Sequence, residues 1–379
     1  MEQTNVQNNV KAREANMELL RIVAMLMVIT LHCVGRGLLL SNPVISNVNL
    51  LLIQFLDSFS LTANSLFILL TGYYYIGKKF NLRKILSLWG KTLFYCILIF
   101  TIYSILNLKT NFLNSFFPVF SGAYWFITSY IALYFIMPFL NIAINKFSQK
   151  QCKFLIIFLV ILMGVIRIIF NPADLFNSTF MHMIVIYIIG AYIKKYVKIE
   201  PNKQYFIKYV LVAIIFTVAI TILNVLVRIV PKTLDVWIII ANILSYFRIF
   251  INIILVYMAI LLFMKFKTIN IKSNKLSKLI LYISPSVFSI YIIHDNVHLR
   301  DMIWQKFGFI NLANSWLMIP YIILAILIVF TVCLAIDLIR RGIYTWLKKI
   351  KIINKGIQKI NEQIDKVNTK INCIFETEV

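Results

Sequence analysis

Apolar residues fall in ten runs, near 17–40, 51–76, 85–107, 120–144, 154–170, 179–193, 206–230, 236–264, 279–298 and 315–340, separated by short polar segments. Most approach the ~20 residues that a helix needs to cross a hydrocarbon core of ~30 Å. The pattern predicts an all-α polytopic membrane protein of about ten transmembrane helices. A different pattern follows the last run: Ile350, Ile353, Ile357, Ile360, Ile364, Val367, Ile371 and Ile374 recur at spacings of three and four, with Lys, Asn, Gln and Glu between them. The seam predicts an amphipathic helix. Its strict repeat favours a coiled coil, and with it a homo-oligomer, whereas the lysines that open it (Lys348, Lys349, Lys351, Lys355) also suit the anionic headgroups of membrane lipids. The chain thus divides into a polar N-terminal segment 1–16, a transmembrane unit 17–347 and a tail 348–379.

Composition agrees, since 61% hydrophobic residues, 14% charged residues and a mean hydropathy of +0.85 exclude a soluble globule. The charge of +24 would suggest nucleic acid on a soluble protein, but here the cations sit between the apolar runs. With the N-terminus inside, thirty of the 38 Lys and Arg residues fall on one side of the membrane. This excess orients the spans, places both termini in the cytoplasm and leaves no case for a nucleic-acid partner. Five cysteines (Cys33, Cys96, Cys152, Cys333, Cys373) without ligand spacing predict neither a disulfide scaffold nor a metal site. The first run has no small-residue cleavage pattern behind it and is expected to remain as an anchor. The outer connections are short, so the chemistry is expected within the bundle.

Ionisable residues inside a bilayer need a partner, a wet cavity or a function. On the first span Glu14, Glu18, Arg21, Met25, His32 and Arg36 share one helix face, and Arg21 to His32 rises about 16 Å. By the same topology His182, His294 and His298 join His32 toward the outer side, and Asp57 and Asp295 reach a similar depth. An imidazole beside a carboxylate is a general base suited to deprotonating a hydroxyl. Either Asp57 or Asp295 is expected to face His32. Arg248, mid-way along the eighth span with Asn242, Ser245 and Asn252, either pairs with an acid such as Asp57 or Asp337 or lines a cavity for an anionic ligand. Arg167 and Arg228 are expected to snorkel at span ends, and His298 and Arg300 to form a water-exposed edge.

Four segments, in order, carry a resemblance: Glu18-Leu19-Leu20-Arg21 followed by His32; Phe67-Ile68-Leu69-Leu70-Thr71-Gly72-Tyr73; Tyr124-Trp125-Phe126-Ile127; and Phe288-Ser289-Ile290-Tyr291-Ile292-Ile293-His294. Together they resemble the membrane-bound acyltransferase-3 family over about 17–340. The resemblance implies O-acylation, usually O-acetylation, of a cell-envelope sugar in the bacterial cytoplasmic membrane, with acetyl-CoA as a loosely held co-substrate from the cytoplasm. It also implies an essential first-span histidine. Arg21 and His32 fit the family's first-span pair, and Glu18 stands for a commoner aspartate. Arg83 falls where the family has a basic pair, which here is Arg83-Lys84 preceded by Lys79. Lys lacks the bidentate fork with which Arg grips phosphate.

Residues and resemblance together give a working assignment. His32 is the base, with Glu18, Arg21, Asp57, His294 and Asp295 as further catalytic candidates. Lys79, Arg83, Lys84 and Arg248 are the candidate coenzyme contacts, and Asn64, Tyr124 and Trp125 the donors to an acceptor or oxyanion. The acceptor is a polysaccharide or its lipid-linked precursor, and an acyl-histidine intermediate is an alternative route. The chief rival is a transporter or flippase of a lipid-linked sugar. It predicts discontinuous helices around a midplane site and internal repeats, neither of which shows in the pattern. A purely structural membrane partner recruited through the tail is the third reading.

Overall fold

A computed structural model describes residues 14–162, 179–229 and 253–376. Every regular element among them is helical: α1 (Ala15–Arg36), α2 (Asn47–Ser60), α3 (Ala63–Tyr75), α4 (Leu82–Ile105), α5 (Phe112–Phe116), α6 (Trp125–Lys146), α7 (Gln149–Ile161), α8 (Thr179–Tyr196), α9 (Gln204–Ile229), α10 (253–267), α11 (Asn274–Ile283), α12 (Val287–His294), α13 (Arg300–Lys306), α14 (Met318–Leu347) and α15 (Lys351–Glu376). Side-chain caps start several of them where the sequence has Ser or Asn: Ser46, Asn81, Ser148 and Ser273 each accept a backbone N–H from the first turn.

Seven stretches among the described residues are long and apolar enough to span a membrane: α1, α2 with α3, α4, α6, α9 to Ile222, α11 with α12, and α14. The chain is a multi-pass helical membrane protein. Of the other runs, 179–193 coincides with α8, while 154–170 and 236–264 lie partly outside the described residues. Helix α1 is the hub. Two thirds of its most apolar window is buried (67%), against 22% for α9, and it packs against α2, α3, α11, α12 and α14. A central helix is shielded from lipid, so it can carry ionisable residues that a peripheral one cannot.

Two spans are interrupted, which the apolar pattern did not predict. The first breaks between α2 and α3 at Leu61-Thr62, where the Phe59 carbonyl accepts the Tyr209 hydroxyl at 2.6 Å. The second breaks at Ser284-Pro285-Ser286, a 3₁₀ turn between α11 and α12. There Arg341 donates to the Tyr282 carbonyl at 2.8 Å and to Ser286 Oγ at 3.2 Å. Both breaks are thus closed by protein side chains, which replace the backbone partners a continuous helix would supply.

Helices α3 and α8 cross in close backbone contact. A Cβ on Gly72 would lie 2.1 Å from the Tyr187 carbonyl oxygen, and one on Gly190 would lie 2.5 Å from that of Leu69. Small residues let two backbones meet where no hydrophobic effect drives helices together. This contact fixes the α3 wall of the cavity described below. On α14 the fully buried Asp337 pairs with Arg340 at 2.8 Å and accepts the Tyr95 hydroxyl at 2.6 Å. One of the two acids expected for Arg248 therefore has its partner one turn away on its own helix. Arg248 itself, with Asn242, Ser245 and Asn252, lies outside the described residues, as do Arg167 and the side chain of Arg228.

Candidate active site

The face of α1 that carries the ionisable residues lines a cavity of about 700 Å³. Glu14, Glu18, Arg21, Met25, Val28 and His32 follow one another along it at steps of four and three, the spacing that keeps side chains on one side of a helix. From Glu18 to His32 the helix rises about 21 Å, so the cavity is long. Its other walls come from α3 (Asn64, Phe67, Thr71), the start of α4 (Lys84, Leu88), α6 (Trp125, Phe126, Tyr130) and the broken span (Ser284, Pro285, Tyr291).

One end is ionic. Arg21 pairs with Glu18 one turn earlier, and Lys267 pairs with Glu14, whose carboxylate also accepts the Tyr74 hydroxyl at 2.8 Å. Burial pushes the Glu14 carboxyl up, but the hydrogen bonds from Lys267 and Tyr74 outweigh it and hold it below the ordinary carboxylate range. Lys84 stands over the Tyr75 ring at 4.1 Å and Lys194 over the Tyr73 ring at 4.8 Å. Lys78, Lys84 and Lys194 all line the cavity here. Acidic and basic groups meet at the same mouth, with the cations in excess.

The other end is built from imidazoles. His32 Nδ1 lies 2.9 Å from His294 Nε2, and His294 Nδ1 lies 2.6 Å from the Ile290 carbonyl oxygen one turn back on α12. A carbonyl only accepts, so His294 Nδ1 carries the proton. With neutral rings, His294 Nε2 must then accept, and His32 Nδ1 must donate to it. The His32 nitrogen left for a ligand is Nε2, with its lone pair unprotonated. His294 is fully buried, whereas the His32 side chain retains 22% exposure on the cavity.

The carboxylate beside this pair is Asp295. It lies 3.8 Å from His32 Nδ1, too far for a hydrogen bond, and accepts Arg36 at 2.8 Å. The expected imidazole–carboxylate contact is therefore an imidazole–imidazole contact. The cause is local: α12 ends at His294, so its last ring meets His32, while the next residue meets Arg36, one turn further along α1. Asp57 is half-buried on α2 and is not among the residues lining the cavity.

The remaining candidates divide. Asn64 and Trp125 line the cavity. Tyr124 does not: its fully buried hydroxyl donates to the Ile292 carbonyl at 2.9 Å and accepts from Asn296 at 3.1 Å, which ties α6 to α12 behind the histidines. Lys84 lines the cavity but its neighbour Arg83 does not, since successive helical residues point about 100° apart. Arg83 instead pairs with Asp365 and donates to the Asn361 carbonyl at 3.0 Å, both on the tail helix α15. Lys79 is exposed and outside the lining. His182 is half-buried on α8, and His298 and Arg300, expected at a wet edge, are half-buried too. His298 Nε2 lies 3.0 Å from Ser115 Oγ, which donates to the Asn111 carbonyl at 2.7 Å. That serine proton is already committed, so the pair is a brace between α5 and the α12–α13 connection rather than an activated nucleophile.

Sequence reasoning missed Tyr291, Tyr130, Lys78 and Lys194 as cavity residues. Tyr291 had a readable signal, because it precedes His294 by three residues on one helix face. The lysines had none that separates them from the lysines that only orient spans. Among the described residues no group of three or more His, Cys, Asp or Glu side chains is placed to hold a metal.

A membrane bundle whose hub helix carries an ionic cluster at one end of a deep cavity and an oriented imidazole at the other has the parts of a group-transfer enzyme. Residues 14–338 match the acyltransferase domain of the acyltransferase-3 family, and the chain belongs to that family. No curated protein and no solved structure gives a significant match to it.

Proposed function

We propose that the protein transfers an acyl group, acetyl in the first instance, from acyl-CoA to a hydroxyl of a cell-surface polysaccharide or its lipid-linked precursor. The observation that carries this reading is the His32–His294–Ile290 chain at the end of a long cavity whose mouth is basic. The coenzyme's phosphates sit at the mouth against Lys78, Lys84 and Lys194, on the cytoplasmic side, and its extended arm follows the α1 face toward His32. The ten-span topology with both termini cytoplasmic follows from the distribution of cations and belongs to the same proposal.

His32 Nε2 takes the proton of the acceptor hydroxyl as the oxygen attacks the thioester carbonyl. Asn64 and the Trp125 indole, both in the cavity lining, serve as side-chain donors to the oxyanion. Collapse breaks the C–S bond, and the proton held by His32 passes to the departing thiolate. The protonated His32 is supported by His294 as acceptor and by the Asp295 carboxylate beyond it. Catalysis by proton transfer of this kind contributes about 10²–10⁴-fold.

The two broken spans are the feature that favours transport as a second reading. A transporter uses the freed backbone groups of such breaks to hold its cargo. Here those carbonyls are engaged by Tyr209 and Arg341, which supports the enzyme. Purified protein with labelled acetyl-CoA and lipid-linked glycan decides between them. Label moving to the glycan with release of free CoA is expected; binding of the glycan lipid without thioester consumption would establish the transporter.

A further inference from the structure

Only three residues separate the tail helix α15 from α14, and it lies against the entrance of α4. Its hydrogen bonds to the bundle come from one face. Asn372 exchanges two hydrogen bonds with the Phe80 backbone at 2.9 and 3.0 Å, Asn368 accepts the Leu82 N–H at 2.8 Å, and Asn361 and Asp365 hold Arg83. These four docking residues recur at steps of four, three and four, so they form one face.

Docking by that face divides the isoleucine seam. Ile357, Ile364 and Ile371 are half-buried along the flank of the bundle, while Ile360, Val367 and Ile374 stay 59%, 41% and 68% exposed. Lys351, Lys355, Lys359, Lys366 and Lys370 occupy the third side and are exposed. At 100° per residue the docking face, the Ile360/Val367 edge and the lysine face lie roughly 120° apart. A coiled coil needs both halves of the seam in one partner's groove, and here one half is already turned to the bundle.

We infer that α15 is an interfacial anchor, which lays its exposed isoleucine edge into the acyl boundary of the leaflet at the basic end of the bundle and sets its lysines on anionic phospholipid headgroups. Three observations point to lipid as the occupant. The helix is docked where the spans begin, at the level of the Asn81 cap of α4. Phe375 packs edge-on at 5.0 Å against Phe139, which is 61% exposed on the flank of span α6, so apolar tail surface adjoins apolar span surface. The lysine face complements anionic headgroups, and flanking lysines reach them while their stems lie along the isoleucines. The anchor is independent of the chemistry at His32.

The test uses the full chain in lipid nanodiscs with phosphatidylglycerol. Cys373 is the exposed cysteine and the other four are buried, so Cys373→Ser leaves a quiet background for spin labels at Val367→Cys and Lys366→Cys. The label at 367 should collide with oxygen and be shielded from a water-soluble nickel chelate, with a several-fold higher ratio of the two than its neighbour at 366. Lys359, Lys366 and Lys370 changed together to Gln should lower the ratio at 367, as should a bilayer of phosphatidylcholine alone. Equal water access at both positions would overturn the proposal. So would strong dipolar coupling between the 367 labels of two copies, which would assign the seam to self-association.

Discussion

At the mouth of the cavity Glu14, Glu18, Arg21 and Lys267 are held as pairs of charges, with Arg21 31% and Glu14 43% exposed. At the far end one directional hydrogen bond joins His32 to His294 and a second ties His294 to the Ile290 carbonyl, and His294 has no exposure at all. Charge pairs in a wet mouth depend on distance and sign, so one cation can stand for another. An imidazole chain depends on which nitrogen carries the proton, so even a substitution of equal size fails if it donates where it must accept. The two ends are therefore suited to different tasks: the mouth to holding a polyanion loosely, the far end to placing one lone pair.

The largest effect should come from the imidazole chain. His294→Leu leaves His32 Nδ1 without an acceptor and its tautomer unfixed, and turnover should fall about 10²-fold or more with little change in KM for acetyl-CoA. His294→Gln offers a carbonyl oxygen near the position of Nε2 and should recover much of that loss. Steady-state rates for the two variants check the assignment. Equal turnover in both would show that the ring only fills space.

A smaller effect belongs to the mouth. Lys84→Ala should raise KM for acetyl-CoA about tenfold, the equivalent of ~1.4 kcal/mol, and leave kcat unchanged. Lys84→Arg should bind as the wild type does. A fall in kcat with KM unchanged would mean that the two ends are not separable. Arg21→Ala sharpens the same contrast, because Glu18 is only 5% exposed and would lose its cation. That variant should lose thermal stability, which Glu18→Gln in the same chain should restore.

The smallest effect is that of pH on the Glu14 pair. A carboxyl held below its ordinary value stabilises the fold above that value, and the contribution disappears as pH falls through the lowered one. For so exposed a pair the amount is less than about 1 kcal/mol. Melting curves should show a slightly steeper acid loss in wild type than in Glu14→Gln, and identical slopes would place the pair outside the stability of the mouth.

Much of this arrangement is legible in the chain. The α1 face could be read because 3.6-residue spacing aligns Glu14, Glu18, Arg21, Met25 and His32 whatever surrounds the helix. Gly72 and His294 sit in recognisable motifs, and the structure supplies reasons: a backbone crossing for one, a proton acceptor for the other. The choice between Asp57 and Asp295 could not be read, since it depends on where α12 stops relative to α1. Nor could the choice between Arg83 and Lys84, adjacent cations of which one meets the cavity and the other the tail. Pro285 between two serines marks one helix break, whereas the break at Leu61-Thr62 rests on Tyr209, about 150 residues away in sequence, and has no local sign.

The account rests on His32 Nε2 acting in transfer and not in coenzyme binding. The most direct measurement is made on purified His32→Ala, with acetyl-CoA affinity by calorimetry and acetyl transfer to glycan followed on the same sample. Affinity equal to that of the wild type with transfer reduced to background is the predicted result. Transfer at the wild-type rate, or an affinity lowered by the same factor as the transfer, would contradict it.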